Sequence, residues 1–182
     1  MKLNIGFFLG SHYGRSKSYS LLVNKVSEWI NESNHNVVFG GTESGLMLRL
    51  VSNLNNKNTK VISIIPKVLS SKYEELKYYN ELIVTNDLGE RTNQFIKRSD
   101  FFVVLPGGIG TLFELIEIIN KKILVETKKK IFLLNDLDYW KPLFQLIKHM
   151  VKEKFLDERV FENNVEIIQL DDLKERVKNA KY

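Results

Sequence analysis

One stretch constrains the fold of this chain more than any other: Phe101-Phe102-Val103-Val104-Leu105, followed by Pro106-Gly107-Gly108-Ile109-Gly110-Thr111 and then Leu112-Phe113-Glu114. Five consecutive apolar residues read as a strand buried on both faces. Pro106 ends it, and three glycines within four residues let the backbone turn sharply. An amphipathic segment then opens at Leu112, so a strand, a tight turn and a helix follow without a gap. The first N–H groups of a helix lack intrahelical partners and carry partial positive charge. A glycine turn leading into them suits an anion, above all a phosphate. Glu114 puts a carboxylate one helical turn from that pocket.

The same alternation runs through the rest of the chain. Apolar, strand-like runs fall at 3–9, 37–39, 61–65, 82–84, 101–105, 131–134 and 165–170. Helical spacing falls at 18–30, 45–54, 90–97, 112–125 and 143–154, and Asp172-x-x-Glu175 reads as a capping box for a C-terminal helix. A βαβα rhythm predicts an α/β, Rossmann-like architecture: a doubly wound parallel sheet with helices on both faces. At 182 residues, with no linker, repeat or low-complexity tract, residues 1–182 read as a single domain.

Composition removes several function classes. There are no cysteines, which excludes disulfides, thiolate catalysis and cysteine metal sites. Only three histidines occur, scattered as His12, His35 and His149, so no metal site is expected, and they read as surface or satisfied residues. The formal charge of +5 is mild and spread out. Its densest run, Lys128-Lys129-Lys130, reads as a solvated turn rather than a nucleic-acid patch. The N-terminal run lacks a small-residue cleavage site and ends at Gly10-Ser11 as a strand would. No signal peptide, membrane span or nucleic-acid partner is expected, and the location expected is cytoplasmic.

Ligands of doubly wound sheets bind at the carboxyl ends of the strands. Here three of those ends carry glycine: Gly10-Ser11, Gly40-Gly41-Thr42 and the Pro106 to Thr111 turn. Neither G-x-G-x-x-G nor G-x-x-x-x-G-K-[ST] occurs, which disfavours a dinucleotide dehydrogenase and a P-loop ATPase. Each glycine alone could be an ordinary βα turn. Thr111-Leu112-Phe113-Glu114 is also a capping box, with Thr111 as N-cap and Glu114 as its partner. Glu117, on nearly the same face, is either a second functional carboxylate or a solvated one. The coincidence of these elements is harder to dismiss than any one of them.

Those residues resemble the LOG ("lonely guy") family of cytokinin riboside 5'-monophosphate phosphoribohydrolases, many long labelled lysine decarboxylases. The family signature P-G-G-x-G-T-x-x-E matches Pro106 to Glu114 at every fixed position, and Arg91 stands where the family has its companion arginine. Gly10-Ser11 and Gly40-Gly41-Thr42-Glu43-Ser44-Gly45-Leu46-Met47 match two further elements in the right order. Leu88, Thr92 and Ile109 depart from the methionine, lysine and tyrosine common in the family.

The resemblance implies hydrolysis of the N-glycosidic bond of a purine nucleoside 5'-monophosphate, giving the free base and ribose 5-phosphate. It implies Arg91 and Glu114 as catalytic residues. Gly10, Ser11, Gly41, Thr42, Gly107, Gly108, Gly110 and Thr111 would bind substrate. Glu114, near a helix N-terminus, is expected to be held ionised. No cofactor is implied, and no lysine lies in the signature to form a Schiff base. A homodimer is implied, for which the apolar helix at 112–125 could supply the surface. The alternative is a non-catalytic carrier or sensor of the same fold, binding a nucleotide or a molybdenum cofactor; it would need the glycine cradle but not the carboxylate.

Overall fold

Short β-branched and aromatic runs fill the interior of the molecule, and amphipathic helices cover them on two sides. The computed structural model describes residues 2–55, 57–69 and 76–179. Its strands are β1 (Asn4–Phe8), β2 (Asn36–Phe39), β3 (Val61–Pro66), β4 (Glu81–Thr85), β5 (Phe101–Val104), β6 (Ile131–Leu134) and β7 (Glu166–Ile168). The helices are α1 (Lys17–Ser33), α2 (Gly45–Ser52), α3 (Leu88–Arg98), α4 (Ile109–Ile123), α5 (Lys141–Lys152), α6 (Glu158–Glu162) and α7 (Leu170–Asn179). The seven strands form one sheet in the order β4-β3-β2-β1-β5-β6-β7, and every pairing is parallel.

Period-two alternation distributes the strands' side chains between two cores. Ile5 and Phe7 of β1 join Val37 and Phe39 of β2 under α1, α2 and α7. Phe8 and Val38 point the other way, into a core with Phe95 of α3 and Leu115, Ile118 and Ile119 of α4. The first helix shows how sequence writes each unit. The Ser16 hydroxyl accepts from the Ser18 N–H at its start, Leu22, Val23, Val26, Trp29 and Ile30 line its buried face, and Asn34 closes it with a left-handed φ of 54°. The strand order reverses at β1, with β2 on one side and β5 on the other. In doubly wound sheets that reversal opens a crevice at the carboxyl end of the strands.

The expected architecture is present, with local corrections. The helix after the glycine turn begins at Ile109 rather than Leu112, with Gly108 as its N-cap, so Thr111 and Glu114 lie inside it and form no capping box. Asp172 likewise lies within α7, not before it; the Leu170 N–H is met instead by the Asp136 carboxylate at 3.2 Å. The five-residue α6 was not expected. Lys129 is not merely solvated: its ammonium donates to the Ser99 carbonyl, and Lys122 donates to the Lys129 carbonyl at 2.9 Å. Among the described residues, no helix is long and apolar enough to cross a membrane.

Candidate functional site

Backbone hydrogen bonds knit three strand ends into one rim. Beyond β1 and β5 the Gly10 N–H still reaches the Pro106 carbonyl at 3.1 Å. From the other side, α2 closes on the same loop: the Met47 N–H donates to the Gly10 carbonyl at 3.2 Å and the Ser44 hydroxyl to the Ser11 carbonyl at 2.9 Å. Gly45 makes this approach possible. Its φ is +54°, and a Cβ there would lie 2.4 Å from the His12 nitrogen.

Above the rim lies a cavity of about 810 Å³. Gly10, Ser11, Thr42, Arg91, Gly107, Gly108, Gly110, Thr111 and Glu114, all expected in the site, line it. Gly41 does not; its φ is +75° and its Cα faces β3, where a Cβ would come within 2.3 Å of the Ser63 hydroxyl. Gly40 takes the lining position instead. A Cβ there would lie 2.6 Å from an Arg91 guanidinium nitrogen, so any larger residue would displace that guanidinium. Tyr19 and Tyr139 also line the cavity without any sequence expectation, as do Met47, Leu88 and Phe113, which the family resemblance touched but did not place in the site. Only the signal of an aromatic just beyond a strand end could have pointed to Tyr139.

At the floor, Arg91 and Glu114 form an ion pair at 2.8 Å, with side chains 13% and 9% exposed. Their meeting needs two helices: Arg91 lies in the first turn of α3, which Asp87 caps by accepting from the Glu90 N–H at 2.8 Å. Arg91 also donates through Nε to the Ile64 carbonyl at 3.1 Å, and its guanidinium lies 5.1 Å from the Phe95 ring centroid. Three elements therefore hold one cation in place.

Burial raises the Glu114 pKa above the ordinary glutamate value, Arg91 pulls it back down, and the charge of Glu117 pushes it up again. The helix N-terminus therefore does not lower the Glu114 pKa as expected. Gly108 is the N-cap, so Glu114 is the sixth helical residue, beyond the first turn in which the dipole acts. Glu117 is neither free nor in the cavity lining; it accepts a hydrogen bond from the Thr92 hydroxyl.

The cradle itself is backbone. No side chain caps α4, so the N–H groups at its start are available to an anion. Gly107 is squeezed: a Cβ there would lie 2.1 Å from the Thr111 hydroxyl. Gly108 and Gly110 are different, because a Cβ on either would meet no protein atom within 4 Å. The fold does not need glycine at these two cavity-lining positions, and glycine leaves the backbone there open to close approach. Among the described residues no cluster of three or more His, Asp or Glu could hold a metal ion, and no lysine lines the cavity.

A doubly wound sheet with an uncapped glycine turn at its rim and a buried Arg–Glu pair beneath defines a Rossmann-like α/β protein whose cavity has a charged floor. The family model described as possible lysine decarboxylase matches residues 47–179, and the chain belongs to this family, the LOG family of the sequence resemblance. The cytokinin riboside 5'-monophosphate phosphoribohydrolase of Rhodococcoides fascians is 30% identical over 154 residues, spanning 84% of this chain and 78% of that protein. The Arabidopsis thaliana enzyme of the same name, LOG5, is 33% identical over 149 residues, 82% of this chain and 65% of its own length. A rice relative (Oryza sativa subsp. japonica) is longer still: the chain spans 61% of it at 33% identity. Among solved structures, the molybdenum cofactor binding protein of Rippkaea orientalis superposes with a TM-score of 0.67 over 98% of this chain and 96% of its own, at 20% identity. The molybdenum cofactor carrier protein of Chlamydomonas reinhardtii gives 0.67 at 18% identity, over 98% and 97%. At that identity these structures share the fold alone.

Proposed function

We propose that the protein is a nucleoside 5'-monophosphate phosphoribohydrolase, and the observation that carries this reading is the Arg91–Glu114 pair 2.8 Å apart on the floor of a cavity whose rim is an uncapped glycine turn. The 5'-phosphate accepts from the N–H groups around Gly108, Ile109 and Gly110. The ribose lies over Glu114. Water adds through its oxygen to the anomeric carbon and gives up a proton; the C–N bonding pair leaves with the base, which takes up one proton in turn, and the products are free base and ribose 5-phosphate. The transition state carries positive charge on the sugar ring, and the Glu114 carboxylate stabilises it or orients the water. Arg91 holds that carboxylate in one orientation with its planar donors. The relatives of this name support the reaction class.

A carrier needs the cradle but has no use for a carboxylate kept buried at a cost in desolvation, so Glu114 favours the enzyme. A homodimer is part of the reading. On α4, Leu115, Ile118 and Ile119 are buried, while Ile109, Phe113, Ile116 and Ile123 remain exposed along the other face. The test of the reaction is chromatographic: AMP, isopentenyl-AMP and other nucleoside 5'-monophosphates are incubated with the purified protein. Free base accumulates under this reading; its absence throughout the panel refutes it.

A further inference from the structure

We infer that Tyr139 is a positioning residue for the anion cradle, acting through the Gly107 carbonyl. This rests on reading the glycine turn as the phosphate site. Tyr139 belongs to the β6–α5 loop, remote in sequence from the signature. Its hydroxyl donates to the Gly107 carbonyl at 2.5 Å. A peptide unit is planar with its C=O and N–H on opposite sides, so holding that carbonyl fixes the direction of the next N–H, that of Gly108. Gly108 is the N-cap, and its N–H is one of the donors the cradle offers.

The hydroxyl is itself held. Asn135 shapes the loop, bonding Asp138 through its amide at 3.2 Å and accepting from the Trp140 N–H at 3.4 Å. The Tyr139 ring packs edge-on against Trp140 at 4.9 Å and against Tyr19 at 5.5 Å. Tyr19 is pressed in turn by the β1–α1 loop. Gly14 has a φ of +71°, and a Cβ there would come within 2.8 Å of the Tyr19 ring. Gly14, Tyr19, Tyr139 and Gly107 all line the cavity. The first loop thus reaches the glycine turn through two rings and one hydrogen bond.

The variant is Tyr139→Phe, which keeps the ring. Calorimetric titration with AMP and with adenosine separates the phosphate from the rest of the ligand. The expected result is that the preference for AMP over adenosine falls about fivefold or more, the scale of one well-made hydrogen bond. Adenosine affinity stays at the wild-type value, and the melting temperature falls by no more than the loss of one hydrogen bond brings. An unchanged preference overturns the inference, as does equal weakening of both ligands, which would mark a purely structural role. A wild type without preference for AMP also overturns it. The hydrolase reading is judged separately by base release: a protein that binds AMP through Tyr139 yet releases no base keeps this inference and loses that one.

Discussion

The Arg91 guanidinium lies 2.8 Å from the Glu114 carboxylate, and both side chains are nearly buried. Arg91→Met removes that cation and leaves the carboxyl buried. Breaking a buried pair in this way costs about 3–5 kcal/mol when the remaining charge stays ionised. Because the folded pKa of Glu114 is already raised by burial, and Arg91 opposes that rise, the variant raises it further. A carboxyl raised on folding contributes stability that is complete below its unfolded value and is lost as pH rises through the folded value. Melting temperatures of Arg91→Met therefore fall more steeply than wild type from pH 4.5 upward. The acid limb of kcat/KM moves to higher pH in the same variant. Parallel melting curves for the two proteins would contradict the pairing.

Two glycines separate fold from ligand. Gly41→Ala places a Cβ 2.2 Å from Ile65 at a φ of +75°, and destabilises the protein by about 1–3 kcal/mol. Gly108→Ala meets no protein atom within 4 Å, so its melting temperature is unchanged, while its affinity for a nucleoside 5'-monophosphate falls about tenfold or more as the methyl group occupies the cradle. Thermal melts and titrations on both variants check this contrast. A Gly108→Ala protein that binds normally removes the turn from the site.

The reach of sequence reasoning follows from what each element depends on. Residues 101–108 were legible because a buried parallel strand is uniformly apolar and its turn is glycine-rich. The start of α4 was not, because Ile109 and Gly110 are poor helix formers and both are exposed. Placing it three residues late produced the false capping box and, with it, the expectation of a lowered Glu114 pKa. Gly40 and Gly41 are adjacent and chemically identical; only the fold shows that one faces Arg91 and the other Ser63. Tyr139 was invisible because its partner, the Gly107 carbonyl, is 32 residues away. The short α6 carries too few residues for a period to emerge.

His35 supplies a pH dependence away from the cavity. Its Nδ1 accepts from the Leu3 N–H at 3.3 Å, and burial lowers its pKa below 6.5. The unfolded chain then binds the proton more readily, so stability falls as pH drops from about 6.5 toward the folded value. Chemical denaturation at a series of pH values shows this slope in wild type and its loss in His35→Asn. An identical slope in both would assign the effect elsewhere.

The exposed row on α4 tests the assembly. Ile116, 39% exposed, is absent from the cavity lining. Ile116→Glu puts a charge into the middle of that row, and sedimentation is expected to show a dimer in wild type and a monomer in the variant. A monomeric wild type would leave the row without this partner.

The most direct measurement of the central claim follows AMP and isopentenyl-AMP through wild type and Glu114→Gln, quantifying free base and ribose 5-phosphate together. The account predicts equimolar release by wild type and a loss of at least about a hundredfold in Glu114→Gln, the scale of a key electrostatic group, with nucleotide binding retained. Equal turnover by the two proteins, or no release by wild type despite saturable binding, would contradict it.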